Sequence, residues 1–130
     1  MEPGSITAIS RFGMDYERGR VELAAQRLAL ANVAFASETT ALQAIENLLI
    51  NANGVVGGGD NDLNSSVVKA VHDPVHPMAN GEGNVFFLDV DHVTEMVRMA
   101  GAVRAYEANV RAYNINKEIN AAAIQIGDER

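Results

Sequence analysis

The residues best suited to chemistry in this chain are His72, Asp73 and His76, which lie close together. Histidine and carboxylate side chains are common zinc ligands, so a metal site is the first possibility to consider. Pro74 and Pro77 would break a helix that placed His72 and His76 on one face. We therefore interpret these histidines as surface-loop residues and expect neither a metal site nor a cofactor.

Other catalytic patterns are absent from the sequence. The glycine-rich segment 54–60 reads G-V-V-G-G-G-D and lacks the Lys-Ser/Thr of a phosphate-binding loop. No segment resembles a nucleophile elbow, and the absence of cysteine excludes disulfides and thiolate catalysis. Met96 and Met99 are typical of core or interface positions rather than cofactor ligands. We therefore expect a protein that is not an enzyme.

The overall charge narrows the possible partners. The net charge is −7 and the isoelectric point is near 4.8, so no basic surface is available to neutralise nucleic-acid phosphates. No apolar run approaches the ~18 residues that a bilayer-spanning helix needs. The N-terminus lacks the basic and apolar regions of a cleaved secretory signal. Nucleic acid and small-molecule substrates are not expected partners.

Residues 91–127 predict one long C-terminal helix. The segment contains no proline, and its apolar residues recur every three or four positions. Asp91 is a suitable N-cap, and Gly127 is suited to the end of the helix. At ~1.5 Å per residue this helix would be about 50 Å long. A chain of 130 residues cannot cover it with its own core, so we expect a long partner helix in the same chain or in neighbouring subunits.

The N-terminal part, residues 6–50, predicts further helices. A heptad register runs to about Ala36, with d positions Ile9, Tyr16, Leu23 and Leu30 and a positions Ile6, Gly13, Arg20, Arg27 and Ala34. These a positions are poor for a sealed two-stranded coil, which indicates looser or multi-helical packing. A second helical stretch covers residues 41–50. The pattern leaves open whether the two stretches are continuous or joined by a kink.

The middle of the chain, residues 51–90, predicts a glycine-rich loop followed by a small β element. Residues 51–66 are mostly Gly, Asn, Asp and Ser, which is typical of a loop. Residues 66–71 and 84–90 could form two paired strands around a turn-rich segment. We therefore predict a mainly α single domain over residues 1–130. Its long terminal helices pack as an antiparallel, coiled-coil-like bundle with a small β-hairpin and loop inserted between them.

Several segments together resemble one known family. They are G-M-D-Y-E-R-G-R-V-E-L-A-A-Q-R-L-A-L-A-N at 13–32, D-P-V-H-P-M-A-N-G-E-G-N-V at 73–85, L-D-V-D-H-V-T-E-M-V-R-M at 88–99 and R-A-Y-E-A-N-V at 104–110, with the later Asn114 and Lys117. This pattern is similar to that of FlgC-type flagellar basal-body rod proteins. The C-terminal resemblance covers about 55 residues and is the more specific. In the segment N-V-A-F-A-S at 32–37, Phe35 and Ser37 stand where the family pattern has asparagine.

The resemblance implies a mechanical role. Members of this family are exported by the flagellar type III apparatus without signal cleavage. Their terminal helices form the inner layer of a helical tube, the periplasm-spanning rod, which transmits torque and encloses the export channel. The expected partners are other rod proteins and copies of the same chain.

Ten residues are candidates for subunit contacts: Tyr16, Leu23, Leu30, Met96, Met99, Arg104, Tyr106, Asn109, Val110 and Tyr113. Tyrosine and arginine are frequent anchors of protein interfaces. For Tyr106 and Tyr113, packing against the first helix of the same chain is an open alternative. The competing function is a soluble helical adaptor or regulatory paralogue of a rod protein, which would form a closed oligomer rather than a filament.

Overall fold

The computed structural model describes residues 3–53 and 67–128 and confirms a mainly α fold with a small β-hairpin. In chain order its elements are α1 Pro3–Ala31, α2 Glu38–Asn53, β1 Val67–His72, β2 Asn84–Asp89 and α3 His92–Asp128. The long helices α1 and α3 pack antiparallel, as predicted. Thr7 near the start of α1 meets Asn116 late in α3, and Arg27 near the end of α1 meets Glu95 early in α3.

The first helix ends five residues earlier than the predicted Ala36, and a non-helical connection separates it from α2. Phe35 in this connection forms a backbone bridge with Phe86 of β2: each N–H donates to the other residue's carbonyl, at 2.8 and 3.0 Å. The sheet thus competes for backbone groups that a continuing helix would have used. The Ser37 Oγ accepts a hydrogen bond from the Thr40 N–H at 3.3 Å, so Ser37 caps the start of α2.

The second helix extends beyond the predicted range 41–50 and continues to Asn53. Asparagine is a weak helix former rather than a strict helix breaker, so the packed helix can include Asn51 and Asn53. Residues 51–53 of the predicted glycine-rich loop thus belong to α2, and the rest of that prediction, residues 54–66, lies outside the described part of the chain.

The two strands pair antiparallel, with Val67 opposite Asp89 and His72 opposite Asn84. Their bounds differ by one residue from the predicted 66–71 and 84–90. Hydrogen bonds within the connecting turn define its shape: the Asn80 Oδ1 accepts from the N–H groups of Glu82 and Asn84, both at 2.9 Å. Gly83 has φ +77°, a conformation that favours glycine.

The apolar core lies where the C-terminal half of α1, the helix α2 and the hairpin meet. Leu23 packs against Leu48, and Leu30 contacts both this pair and a second cluster. The second cluster contains Ala41, Ile45 and Leu88, with Phe35, Val68 and Val90 at its edge. The predicted d positions Leu23 and Leu30 therefore face this core. Ile9, on the same stripe but far from the core clusters, is 67% exposed.

Asp91 caps the long helix α3, as predicted. Its Oδ1 accepts from the Val93 N–H at 3.0 Å, and its Oδ2 accepts from the Thr94 hydroxyl at 2.6 Å. The hydrogen bond from the Thr94 hydroxyl, followed by those from the backbone of Thr94 and Val93, holds the pKa of Asp91 below its ordinary value of 3.8. The carboxylate form is therefore favoured in the folded chain.

We expect Asp91→Ala to lower the melting temperature at neutral pH by roughly a few degrees, because α3 loses its N-cap. Since folding lowers this pKa, the ionic contribution is complete above pH 3.8 and is lost as the pH falls through the folded value. The variant Asp91→Asn retains the cap acceptor and loses only the ionic contribution, so at neutral pH it should melt between Asp91→Ala and the parent. Melting curves from pH 2 to 7 test this, and an unchanged melting temperature for Asp91→Ala at neutral pH would contradict the assignment.

Candidate functional site

The free end of the α1–α3 pair is the principal candidate surface, and we call it the arm: residues 5–16 of α1 and 106–127 of α3. Among its described side chains, those that are buried belong to Ser10 and Asn116, both polar. Eight of its large apolar side chains are instead exposed: Ile6, Ile9, Phe12, Tyr106, Ile115, Ile119, Ile124 and Ile126. The others, Met14, Tyr16, Val110 and Tyr113, are partly buried. An open groove of about 910 Å³ runs between its two helices, lined in part by Phe12 and Ile124. The arm therefore lacks an apolar core of its own.

Polar and small residues join the two helices of the arm. The Asn116 Nδ2 donates to the Thr7 Oγ1 at 2.8 Å, and the Asn109 amide lies directly against Gly13. The Arg11 Nη2 donates to the Tyr113 hydroxyl at 3.2 Å, with the guanidinium carbon 5.5 Å from the ring centroid. We call the line of contact between α1 and α3 the seam. In the arm, polar and small residues rather than apolar ones form the contacts of the seam.

The Arg11–Tyr113 contact also shifts the pKa of both side chains. Its hydrogen bond, and then the charge of Arg11, lower the pKa of Tyr113, while the same contact raises the pKa of Arg11. The pair is a hydrogen-bonded and cation–π contact between the two helices of the arm.

Beyond the arm, the seam contains a buried ion pair. The Arg27 Nη1 donates to the Glu95 Oε1 at 3.2 Å, and the two side chains are only 7% and 6% exposed. Arg98, which is more exposed, donates to the same oxygen at 2.7 Å. The Glu95 Oε2 and the Arg27 Nε and Nη2 are buried without a hydrogen-bond partner. Unsatisfied buried polar atoms oppose folding, so they reduce the net stability that this ion pair contributes.

The structure divides the predicted contact residues into inward and outward groups. Leu23 and Leu30 pack in the core of the same chain, Asn109 lies against Gly13, and Tyr113 contacts Arg11. Tyr113 thus packs against the first helix of its own chain, which the sequence had left open as an alternative. The remaining residues are exposed (Met96, Arg104 and Tyr106) or partly buried (Tyr16, Met99 and Val110).

Sequence reasoning missed two features of this surface. The exposed side chains Phe12, Ile119 and Ile124 were not among the candidates, although each is a large apolar residue on an otherwise polar helical segment. Gly13 and Arg27 were noted as poor a positions of a coiled coil. Gly13 contacts Asn109, and Arg27 contacts Glu95. Their unsuitability as a positions was the feature of the sequence that could have indicated these special contacts.

The histidine segment forms an ordered turn. The His76 Nδ1 accepts from the Met78 N–H at 3.0 Å, and the His72 Nδ1 lies 3.0 Å from the Asn84 Oδ1. The His76 and Phe87 rings form a T-shaped pair. Residues 3–53 and 67–128 contain no group of three His, Asp or Glu side chains placed to hold a metal ion. In the same residues no helix is long and apolar enough to cross a bilayer.

Comparison with known proteins gives a consistent set of relatives. Residues 88–126 match the family described as flagellar basal body rod FlgEFG protein C-terminal. The flagellar basal-body rod protein FlgC of Bacillus subtilis is 35% identical over 104 residues, covering 73% of this chain and 66% of the relative. FlgC of Aquifex aeolicus is 45% identical over 51 residues, covering 39% and 38% respectively. FlgC of Escherichia coli O6:H1 is 37% identical over 59 residues, covering 45% and 44%.

The matches support the resemblance seen in the sequence, although the chain spans 66% of the first relative and 38% of the second. The match at residues 88–126 covers most of α3, including its ion pair with α1 and the residues that contact the arm's first helix. On these matches the chain is FlgC-like, a relative of the flagellar basal-body rod proteins.

Proposed function

We propose that this protein is a structural subunit of the bacterial flagellar basal-body rod. It assembles through its terminal helices, with other rod proteins and copies of itself, into a helical tube that transmits torque and encloses the export channel. On this proposal it reaches the periplasm-spanning rod through the flagellar type III export apparatus, without a cleaved signal peptide, and performs no catalysis.

One observation carries the proposal: the arm leaves eight large apolar side chains exposed while burying polar ones along its seam. Apolar surface in water is unfavourable at roughly 25 cal/mol per Å², so contiguous exposed patches commonly mark interaction sites. Exposed side chains occur on both helices of the arm, as subunits packed on more than one side would require. Contacts that do not close on themselves produce filaments rather than small closed oligomers.

The test is motility in the source bacterium with its own copy of the gene deleted. We expect Phe12→Glu to abolish swimming while leaving the melting temperature of the free chain nearly unchanged, because Phe12 is 74% exposed. A charge placed at a subunit contact is costly, whereas the same charge in water is not. Tyr106→Ala should act in the same direction with a smaller effect.

The matched control is Ile50→Glu, which changes a similarly exposed apolar residue on α2, outside the arm. It should retain motility. Full motility in the Phe12→Glu strain would contradict the proposal. Light scattering of the purified chain adds a second criterion, since a stable closed oligomer at low concentration would favour the adaptor function instead.

A further inference from the structure

We infer that the Asn109 side chain, seated against Gly13, sets the register in which α1 and α3 pair. A Cβ atom built at residue 13 would lie 2.8 Å from the Asn109 Nδ2 and 2.9 Å from its Cγ and Oδ1. Such distances are shorter than real Cβ contacts. The amide therefore occupies space that exists because residue 13 has no side chain.

The register needs a specific determinant because the two helices carry repetitive surfaces. Both are rich in alanine, and their apolar residues recur at helical spacing. A slip of seven residues, two helical turns, moves one helix by about 10 Å and brings the same face back into contact. Apolar and small side chains would meet similar partners after such a slip, so they discriminate only weakly between registers.

The contact of Asn109 with Gly13 does discriminate. After a slip of seven residues, Asn109 would face position 6 or position 20, which are Ile6 and Arg20. Neither offers the space that glycine provides. The other glycines of α1, Gly4 and Gly19, are not seven residues from Gly13 and so do not share its stripe. One position of α1 therefore accepts the Asn109 amide on this face.

The ion pair by itself discriminates between registers less strongly than this contact. In one direction of slip, Arg20 would replace Arg27 opposite Glu95, so an arginine would still face the carboxylate. The Thr7–Asn116 hydrogen bond would be lost in either direction. The glycine contact lies between these two pairs along the seam, where it rejects the slip that electrostatics would tolerate.

The experiment measures the register in the free chain and is independent of any role in a rod. The chain contains no cysteine, so introduced cysteines at the exposed positions Ala25 and Ala112 can be spin-labelled uniquely. Arg27 lies opposite Glu95, which places the two labels roughly 20 Å apart along the helix axis. A seven-residue slip would change that axial separation by about 10 Å, which pulsed electron–electron distance measurements resolve.

We expect one narrow distance distribution in the parent and a second population, displaced by several ångströms, in both Gly13→Ala and Asn109→Ala. Gly101→Ala is the control, because nothing lies within 4 Å of a Cβ added there, and it should retain the single distance. If Gly13→Ala does not fold, Asn109→Ala decides the result, since it removes the amide without introducing a clash. A single parental distance in Asn109→Ala, or several distances in the parent itself, would overturn the inference.

Discussion

Leu23→Asp is expected to lower the free energy of unfolding by about 4 kcal/mol. Leu23 is 7% exposed and packs against Leu48 where α1 meets α2, with the partly buried Leu30 packed against the same cluster. Aspartate would remove these apolar contacts and bury a charged carboxylate in an apolar cluster. Because this core is small and joins α1 to α2, the loss should destabilise the whole domain.

The matched control is Leu42→Asp, since Leu42 lies on α2 but is 47% exposed. An exposed substitution of this kind usually changes stability by less than ~0.5 kcal/mol, apart from a small helix-propensity term. Chemical denaturation followed by circular dichroism at 222 nm compares the two variants directly. Similar losses in both would mean that the core described around Leu23 does not dominate the stability of the free chain.

Glu95→Leu is expected to lower the free energy of unfolding by about 3–5 kcal/mol, because it leaves the buried Arg27 guanidinium without its anionic partner. The Arg27 side chain is 7% exposed, and its Nε and Nη2 already have no hydrogen-bond partner. Removing Glu95 eliminates the ion-pair contact that Arg27 makes across the helix seam. A smaller part of the loss comes from removing a negative charge near the positive end of the α3 dipole.

Removing the other partner of the ion pair, by Arg27→Met, should lower the free energy of unfolding by less. After Arg27→Met, the Glu95 carboxylate still accepts from Arg98 at 2.7 Å, and Arg98 is partly exposed to water. The double variant Arg27→Met/Glu95→Leu should recover most of the loss, because neither buried charge remains and the substituted side chains can pack. A double-mutant cycle measured by denaturation gives the coupling energy. Equal costs for the two single changes would show that Arg98 does not support the carboxylate, and additivity would show that the pair is not coupled.

The sequence alone determined the elements and their order. The spacing of apolar residues over 91–127 predicted α3 to within one residue at each end. In a long helix without proline, apolar residues recur at one regular spacing along the whole length, and this makes the helix recognisable. Asp91 was identifiable as a cap from its residue type and its position before that period. The strands were predicted within one residue because turn-forming residues separate two short β-prone runs. The family resemblance likewise rests on residue patterns in the amino-acid sequence itself.

Tertiary structure decided which face of each helix points inward. The heptad analysis placed Ile9 and Leu23 on one stripe, yet Ile9 is exposed and Leu23 is buried, because the core around Leu48 and Leu30 covers only one end of α1. It also decided where α1 ends, since Phe35 bonds to Phe86 from a distant part of the chain. The partners of Gly13 and Arg27 lie 96 and 68 residues away, at Asn109 and Glu95. Local periodicity specifies which residues can share a face, but the identity of the facing residue depends on register, which is set by contacts between segments far apart in sequence.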